Sequence, residues 1–329
     1  MLTTSWDKIL DAFIFAKKTA GRSEETIKYY RAKLSFFFNF HIQHMLPCKS
    51  PLDCTRRCIE GYFGYLLNNG RRRITVHAHF RALRSFFRWL VSMGLRQDNP
   101  MEKITAPKVD EPLPKTVTEE HFLTAIQQLT PEHFKNHLTY LTLFVLLFDT
   151  GMRLGEALGL RFEDIDFNHK VVKVTGKGGK QRIVPISSKT CSLLTKLIAL
   201  RMLNCQVNPN DLVFVTSSGT PFSKRNIHKV WWRIQKLAGL NPLPIHGLRH
   251  GFARCWLISG GDAFSLQMLL GHSSPSVTQR YVKFFGTDLQ NLHQKHSPIE
   301  RITLKSKIAL PPELKAIVGH RLDKVKLSL

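Results

Sequence analysis

The sequence predicts a mostly helical protein of the α+β type. An all-helical first domain precedes a mainly helical second domain that carries one small antiparallel β-hairpin. Apolar residues recur at helical spacing through residues 1–100, and two β-branched runs flank the glycine turn Gly176–Gly179. Three prolines between residues 107 and 114 separate the two parts. A chain of 329 residues is long enough to give each domain its own hydrophobic core.

Four helices are predicted in the first domain, residues 1–105. The second begins after Ser23, a favourable N-cap, and its apolar positions recur three and four residues apart. The fourth follows the Asn68-Asn-Gly70 turn, and further helices are expected at Trp6–Thr19 and Cys54–Leu67. The buried stripes are Ile27, Tyr30, Leu34 and Phe37 in the second helix and Val76, Phe80, Leu83, Phe87 and Leu90 in the fourth.

The chain is strongly basic, with a formal net charge of +24. Residues 1–105 contribute +10 and the remainder +14, so the charge is not confined to a tail. A surplus of this size predicts a polyanionic partner, and nucleic acid is the usual one, although charge alone also fits a membrane-surface or ribosomal protein. The longest apolar run is too short to span a membrane and no secretory signal opens the chain. We therefore expect a cytoplasmic, nucleoid-associated protein with no membrane partner.

The fourth helix carries a cationic row beside its apolar stripe, with spacings of 4, 4, 3 and 4 residues. Most charged rows are solvated surface, but such surfaces usually place acidic partners four residues away, and this row has none. A row of this kind suits the major groove of DNA or its flanking phosphates. The DNA-contact candidates are Arg73, His77, Arg81, Arg84 and Arg88 of this row, with Lys28 and Arg31 of the second helix.

Residues 106–116 are predicted to be an extended linker, because their prolines disfavour a helix. Thr118-Glu-Glu120 restarts helical structure and opens the second domain, residues 117–290.

A metal cluster of Cys54 and Cys58 with Cys48, His41 and His44 is disfavoured, since zinc ligands are usually more closely paired. The cysteines are therefore predicted to be small buried hydrophobes, and no metal site is expected.

Two candidate phosphate-handling residues, and a carboxylate that can orient one of them, lie in the first half of the second domain. A buried helix at Leu138–Phe148 is broken by Asp149-Thr-Gly151, and Arg153 follows. Its guanidinium can offer two parallel donors to a phosphate, and Glu156 shares its helical face and can orient it. Lys177 is placed at the tip of the β-hairpin formed by 170–175 and 181–186. Lys173 and Lys180 are rival candidates for its role.

The densest motif is Pro244-Ile-His-Gly-Leu-Arg-His250. His246 and Arg249 are three positions apart at a predicted helix start, where unpaired backbone N–H groups also favour a phosphate. His250 is expected to support the site by packing rather than to contact phosphate.

Two further candidates follow this motif. Gly260-Gly261 ends the helix, a short helix then leads to His272, and Tyr281 lies nine residues after His272. A tyrosine phenol can attack phosphorus if nearby cations stabilise its charge.

The order Arg153, Lys177, His246-x-x-Arg249, His272, Tyr281 resembles the tyrosine recombinases, also called the phage-integrase family. The resemblance implies that residues 1–105 are a core-binding domain and residues 117–290 a catalytic domain. It further implies that Tyr281 attacks a DNA phosphate to give a 3′-phosphotyrosine, with Lys177 protonating the departing 5′ oxygen. Arg153, Arg249 and His272 would stabilise the transition state, and His246 would act in proton transfer or positioning, without metal, ATP or other cofactor. Gly251 departs from the family pattern, in which a small hydroxyl residue is frequent, and is expected to loosen the helix start slightly.

The resemblance also implies double-stranded DNA with an inverted-repeat core site as the partner. Two protomers per site would form a homotetramer, with accessory proteins in some systems. The chain begins almost at the first core-binding helix, which favours an Xer-like recombinase or a compact integrase or transposase; dimer resolution, phage integration and transposition all stay open. The alternatives are a type IB topoisomerase and a non-catalytic DNA-binding protein of the same fold.

The C-terminal tail, residues 291–329, is expected to include a helix that docks on a neighbouring protomer, as a segment after the tyrosine does in the family. A short helix is predicted at Asp288–Lys295 and is ended by Ser297-Pro298, with a further one at Pro311–Val318. No role is predicted for residues 300–329.

Overall fold

A computed structural model of the protein describes residues 6–43, 50–109, 114–203, 206–272 and 274–285. The chain divides into two compact units, Met1–Pro112 and Leu113–Leu329. The described residues form helices and one three-stranded antiparallel sheet, which confirms the predicted mostly helical α+β architecture. The predicted segments at 288–295 and 311–318 and the tail 291–329 lie outside the described residues.

The first unit is a bundle of four helices: α1 (Trp6–Thr19), α2 (Glu24–Gln43), α3 (Arg56–Asn68) and α4 (Arg73–Ser92). Its core is rich in aromatic rings, and Phe13, Phe37, Tyr62 and Phe86 are fully buried within it. All five apolar positions predicted for α4 are buried, as are Ile27, Leu34 and Phe37 of α2, while Tyr30 is half-buried. The helical spacing in the sequence therefore identified the faces that build this core.

The second unit contains eight helices among its described residues. In chain order they are α5 (Glu119–Ile126), α6 (His137–Thr150), α7 (Leu154–Leu158), α8 (Ser188–Met202), α9 (Lys224–Leu237), α10 (His246–Ile258), α11 (Ala263–Leu270) and α12 (Pro275–Phe285). The apolar helix α6 packs against both α8 and α10. A large core cluster surrounds α6, and a smaller one lies among α10, α11 and α12.

The sheet consists of β1 (Ile165–Asp166), β2 (Val171–Thr175) and β3 (Gln181–Pro185), in that order. β2 and β3 form the predicted hairpin, with Val172 opposite Val184 and Thr175 opposite Gln181. Val172, Val174 and Val184 are buried on one face. β1 was not predicted, since a strand of two residues has no recognisable alternation.

Two glycines allow the start of α10 to pack closely against the extended segment 115–117. A Cβ on Gly247 would lie 2.7 Å from the carbonyl oxygen of Lys115, and one on Gly251 would lie 2.3 Å from that of Val117. The Val117 N–H also donates to the Gly247 carbonyl at 3.0 Å. The expectation that Gly251 loosens the helix start slightly stays a prediction; α10 runs unbroken through Gly251, and a larger side chain would clash with the Val117 carbonyl.

Cys54 and Cys58 are buried, as predicted for small hydrophobes, whereas Cys191 and Cys255 are only half-buried. Among the described residues there is no group of three side chains suited to hold a metal ion, and no helix long and apolar enough to cross a membrane. The absence of a metal or cofactor requirement stays a prediction.

Candidate active site

Arg249 lies at the centre of the candidate site and is only 3% exposed. Its guanidinium donates from Nη1 to the carbonyl of Gly151 and from Nη2 to the carbonyl of Leu270, both at 2.8 Å. These carbonyls mark the ends of α6 and α11, so one side chain of α10 joins three elements. Burial, reinforced by the charge of Arg153, lowers the Arg249 pKa to about 10, and the group stays protonated at neutral pH.

Arg153 precedes α7 and is held by Glu156. Arg153 Nη1 lies 2.9 Å from Glu156 Oε1, and the Arg153 backbone N–H donates to Oε2 at 2.8 Å. Arg182 of β3 donates to the same carboxylate at 2.8 and 3.2 Å. Burial raises the pKa of Glu156, but the hydrogen bonds from the two arginines outweigh it and the net shift is downward. The carboxylate is therefore ionised and holds two guanidiniums in place.

His246 and His250 lie one turn apart on α10, and their ring centroids are 4.7 Å apart, edge to face. Burial together with nearby Arg249 lowers the pKa of both, that of His250 to about 4. Nδ1 of His250 lies 2.8 Å from the hydroxyl of Tyr281. The prediction that His250 has a purely supporting position understated this contact with the candidate nucleophile.

His272 follows Gly271, whose φ of +63° ends α11 in the left-handed conformation that favours glycine. Its Nδ1 lies 2.8 Å from Oγ1 of Thr278 on α12. The imidazole is nearly parallel to the Tyr281 ring, with centroids 6.0 Å apart. Burial, together with Arg249 and Arg153, lowers the pKa of His272 to about 4.

Tyr281 is a residue of α12, and its ring packs in the small core that contains Leu257, Leu266 and Leu270. It is 5% exposed. Burial raises the pKa of the phenol above its ordinary value, although the charge of Arg249 and a hydrogen bond from it act in the opposite direction. The hydroxyl is therefore protonated at neutral pH when no DNA is bound.

The structure brings most of the predicted site residues into one cluster around Tyr281: Arg153, Glu156, His246, Arg249, His250 and His272. Lys177 begins the turn between β2 and β3, but its side chain lies outside the described ones. Of its rivals, Lys173 is paired with Asp164 at 3.3 Å, and Lys180 is exposed.

Sequence reasoning missed Arg182 and Thr278. Arg182 binds Glu156 and also donates from Nε to the carbonyl of Leu269 at 2.8 Å, so it links β3 to α7 and α11. Thr278 fixes the ring of His272. A weak signal existed in each case: Arg182 faces the same side of β3 as the buried Val184, and Thr278 lies one helical turn before Tyr281.

The first unit presents most of the predicted cationic row to solvent. Arg73, Arg81, Arg84 and Arg88 are exposed and His77 is half-buried. An open groove runs beside this row and is lined by Lys17, His77, Arg81, Arg84 and Arg88. Lys28 is exposed on α2, while Arg31 is paired with Asp11 at 3.0 Å.

A second cationic helix, α9, was not singled out from the sequence. It contains five lysines and arginines and no acidic residue, over a buried face that includes Ile227, Trp231 and Ile234. His228 lines a cavity of about 170 Å³ together with His246 and Arg249. The exposed, positively charged face of α9 therefore lies beside the candidate site.

Two family models match the chain. Residues 115–285 match the model of the phage integrase family, and residues 9–96 match that of the phage integrase N-terminal SAM-like domain. This chain belongs to the phage integrase family. The predicted resemblance is confirmed.

Curated relatives of this family member cover nearly its whole length. It is 30% identical over 291 residues to a protein named tyrosine recombinase XerC of Thermodesulfovibrio yellowstonii, covering 87% of this chain and 94% of that protein. It is 29% identical over 298 residues to tyrosine recombinase XerD of Listeria monocytogenes serotype 4b, covering 89% of this chain and 99% of the relative. The prediction that the chain is a tyrosine-type site-specific recombinase is confirmed.

Solved structures share the fold of this family member. XerH recombinase bound to a palindromic difH substrate matches with a TM-score of 0.69 and 22% identity, over 90% of this chain and 85% of the other. A lambda integrase dimer bound to a COC′ core site matches with a TM-score of 0.65 and 20% identity, over 82% of this chain and 96% of the other. The Tn1549 transposon integrase in complex with a circular intermediate DNA gives a TM-score of 0.66 at 17% identity, over 89% and 99%.

Proposed function

We propose that this recombinase cuts and rejoins double-stranded DNA by direct attack of Tyr281 on a backbone phosphate. The observation that carries the proposal is the position of the phenol, beside Arg249, Arg153, His250 and His272 in one cluster. Tyr281 would be joined to the 3′ phosphate and a 5′-hydroxyl would be released. Because the phosphotyrosine bond keeps the energy of the phosphodiester, rejoining to a partner 5′-hydroxyl needs no ATP.

The cationic groups of the site suit the charge that develops during this reaction. The attacked phosphorus becomes pentavalent and its oxygens gain negative charge, which Arg153, Arg249 and His272 are placed to stabilise. The loss of one such donor typically lowers a rate by about 10²–10³. A phosphate held by Arg153 and Arg249 would also raise the pKa of His272, because the anion favours the protonated imidazolium, in which both ring nitrogens are donors.

Lys177 is the proposed general acid for the departing 5′ oxygen. Its turn starts at Gly176, where a Cβ would lie 3.6 Å from Glu156 Oε1, so the hairpin tip begins next to the carboxylate that holds Arg153. Lys173 is a weaker candidate because its ammonium is paired with Asp164. His246 is assigned to proton transfer or to positioning at the exposed edge of the site.

DNA contact is proposed for the row on α4, for Lys28 and Arg31 of α2, and for α9. We assign residues 1–105 to a core-binding domain, residues 106–116 to a linker and residues 117–290 to a catalytic domain.

Lambda integrase occurs as a dimer on a core site and as a tetramer on a Holliday junction. By analogy, two protomers of this chain would bind an inverted-repeat site and two sites would form a tetramer, in the cytoplasm and associated with the nucleoid.

The experiment that tests this function compares the protein with its Tyr281→Phe variant on a selected DNA site. The site is obtained from a pool of random-sequence duplexes by binding, and is then prepared with a nick that traps cleavage products. The unaltered protein should form a covalent, protease-sensitive DNA adduct in the presence of EDTA. Tyr281→Phe should bind the duplex normally and form none, since it lacks only the attacking oxygen. An adduct that survives this substitution would show that another residue attacks.

A plasmid without the selected site provides the control for a type IB topoisomerase. Such an enzyme relaxes any supercoiled plasmid, whereas a site-specific recombinase should leave this plasmid supercoiled. Efficient relaxation of the site-free plasmid would contradict the proposed specificity.

A further inference from the structure

His250 makes the closest described contact between an imidazole and the hydroxyl of Tyr281. Its Nδ1 lies 2.8 Å from the phenolic oxygen, which is hydrogen-bonding distance. The two ring centroids are 5.5 Å apart with planes inclined at 52°, so the rings meet through their edges rather than stacking. His250 thus contacts the atom that would attack phosphorus.

The other two histidines of the cluster are oriented differently. His272 lies parallel to the Tyr281 ring, and its Nδ1 is engaged with Thr278 at 2.8 Å. His246 is exposed and meets His250 edge to face. Arg249 hydrogen bonds to the phenol, but a guanidinium has no acceptor and stays protonated. A neutral imidazole, by contrast, has one nitrogen that can accept a proton.

We propose that His250 is the group that takes the proton from Tyr281 as the phenol attacks DNA. The inference rests on the proposed function and gives the acceptor role to His250, which leaves positioning as the role of His246. The tautomer required carries its hydrogen on Nε2, so that Nδ1 accepts the hydrogen bond from the phenol. His250 touches a reacting atom and is therefore a catalytic residue in this account.

The proposed step balances in atoms and charge. The Tyr281 O–H bond breaks and its proton goes to Nδ1 of His250, while the Tyr281 oxygen forms a bond to phosphorus. The bond from phosphorus to the 5′ oxygen breaks, and that oxygen takes a proton from Lys177. The products are protonated His250, neutral Lys177, a 3′-phosphotyrosine and a 5′-hydroxyl. Rejoining returns both protons by the same route.

The surroundings of His250 suit this task. Burial, with the charges of His246 and Arg249, holds its pKa at about 4, so the ring is neutral, with a free acceptor nitrogen but low basicity, before DNA arrives. The negative charge of a bound phosphate then makes the imidazole more basic while the arginines lower the pKa of the phenol. Proton transfer to a positioned side chain typically contributes about 10²–10⁴ in rate.

The test compares two substitutions on two DNA substrates. His250→Asn keeps a polar group near the position of Nδ1 but cannot take up a proton, and His250→Ala removes the contact. Each is assayed for adduct formation on the nicked, selected site and on the same duplex with sulfur in place of the bridging 5′ oxygen at the cleavage point. A thiolate leaves without being protonated, so the sulfur substrate relieves only a defect in the general acid.

Both His250 variants should form adduct at least about 10²-fold more slowly than the unaltered protein on the oxygen substrate. The sulfur substrate should leave this deficit in place, whereas it should restore much of the rate of Lys177→Ala. The ratio of rates on the two substrates does not depend on how much of a variant is folded. The comparison therefore separates a role at the attacking oxygen from a role at the leaving group, and unchanged affinity of each His250 variant for the selected duplex shows that the variant is folded.

Two results would overturn the proposal. Adduct formation by His250→Asn and His250→Ala at the unaltered rate or faster would show that the contact merely restrains the phenol. Recovery of the His250 variants on the sulfur substrate would assign His250 to the leaving group instead. If the unaltered protein itself forms no adduct on either substrate, the proposed function fails, and this outcome is distinct from both.

Discussion

Arg249 illustrates how single residues fix this site before DNA binds. A guanidinium that is 3% exposed would be costly to bury without hydrogen-bond partners. The carbonyls of Gly151 and Leu270 supply two of them, and they close the turns after α6 and α11. A guanidinium has five N–H donors, so others are available to a phosphate. The charge is thus held in position and needs little reorganisation when DNA arrives.

The sequence identified residues whose chemistry is recognisable locally. Arg249, His272 and Tyr281 stand in compact motifs, and their clustering follows from those motifs. Arg182 could not be found in this way, because its role depends on the register of β3 against β2 and on the distant carboxylate of Glu156. Likewise, the contact between His250 and Tyr281 joins residues 31 positions apart and depends on how α10 packs on α12.

His41 leads to a prediction about acid stability. Its ring is 2% exposed, lies 5.5 Å from Trp6 and 4.4 Å from Phe37 by ring centroids, and has no hydrogen-bond partner for either nitrogen among the described residues. Burial lowers its pKa to about 4. Between pH 6.5 and 4 the unfolded chain therefore binds a proton that the folded chain does not. Stability should fall as the pH falls through that window.

We expect His41→Phe to reduce this loss, because a phenyl ring fills the same aromatic site and does not titrate. The unaltered protein should lose on the order of 2–3 kcal/mol more than the variant between pH 7.5 and pH 4. Urea unfolding across this range measures the difference. Some acid sensitivity should remain, since burial also lowers the pKa of His79 to about 4. Parallel curves for the two proteins would contradict the account.

At the level of secondary-structure elements, the amphipathic helices of the first unit were predicted, whereas α8, α9 and the strand β1 were not. The helices α2 and α4 each have several turns of apolar residues at regular spacing, which is enough to define a buried face. The helix α7 has five residues and β1 has two, so neither shows a usable period, and α7 was expected only from the motif around Arg153. Contacts of Glu156 with Arg153 and Arg182 hold α7, and pairing with β2 holds β1.

The hairpin of β2 and β3 is predicted to depend on Arg182 for its position. Arg182→Ala should lower the adduct rate on saturating DNA by about 10²-fold, since small displacements of catalytic groups cost this much. Arg182→Lys should recover only part of the rate, because an ammonium lacks the guanidinium geometry that reaches both Glu156 and the Leu269 carbonyl. DNA affinity should change little in either variant.

Ile183→Ala provides the matched control on the same strand, because Ile183 is 58% exposed. Single-turnover cleavage and a separate binding assay distinguish the two effects. Equal losses for Arg182→Ala and Ile183→Ala would show that any change in β3 disturbs the site, and that the Arg182 contacts have no special importance.

The arginine row on α4 is predicted to contact DNA phosphates. Changing Arg81, Arg84 or Arg88 to alanine should weaken binding and reduce the slope of log affinity against log salt by about 0.9 for each phosphate that is no longer neutralised. Arg56→Ala is the control, since Arg56 on α3 is already paired with Glu60 at 2.7 Å. Filter binding at several salt concentrations measures the slopes. Unchanged slopes for the α4 variants would contradict the assignment.

In the molecule as a whole, each unit has its own hydrophobic packing and supports its own kind of surface. The aromatic core of the first unit supports the row on α4, and the cores of the second unit support the cluster around Tyr281. The two-part organisation was foreseeable from the proline-rich segment at 107–114 and from the separate periodic stretches. The sequence of the preferred DNA site was not, because base recognition depends on side-chain contacts in the grooves.

The most direct test of this account is the chemical identity of the covalent DNA adduct. The adduct formed on the selected site is digested with trypsin and nuclease, and the modified peptide is analysed by mass spectrometry. We predict a nucleotide joined through its 3′ phosphate to Tyr281, in the short peptide released by cleavage after Arg280, together with a free 5′-hydroxyl on the DNA. A nucleotide attached to any other residue, or linked through a 5′ phosphate, would contradict the account.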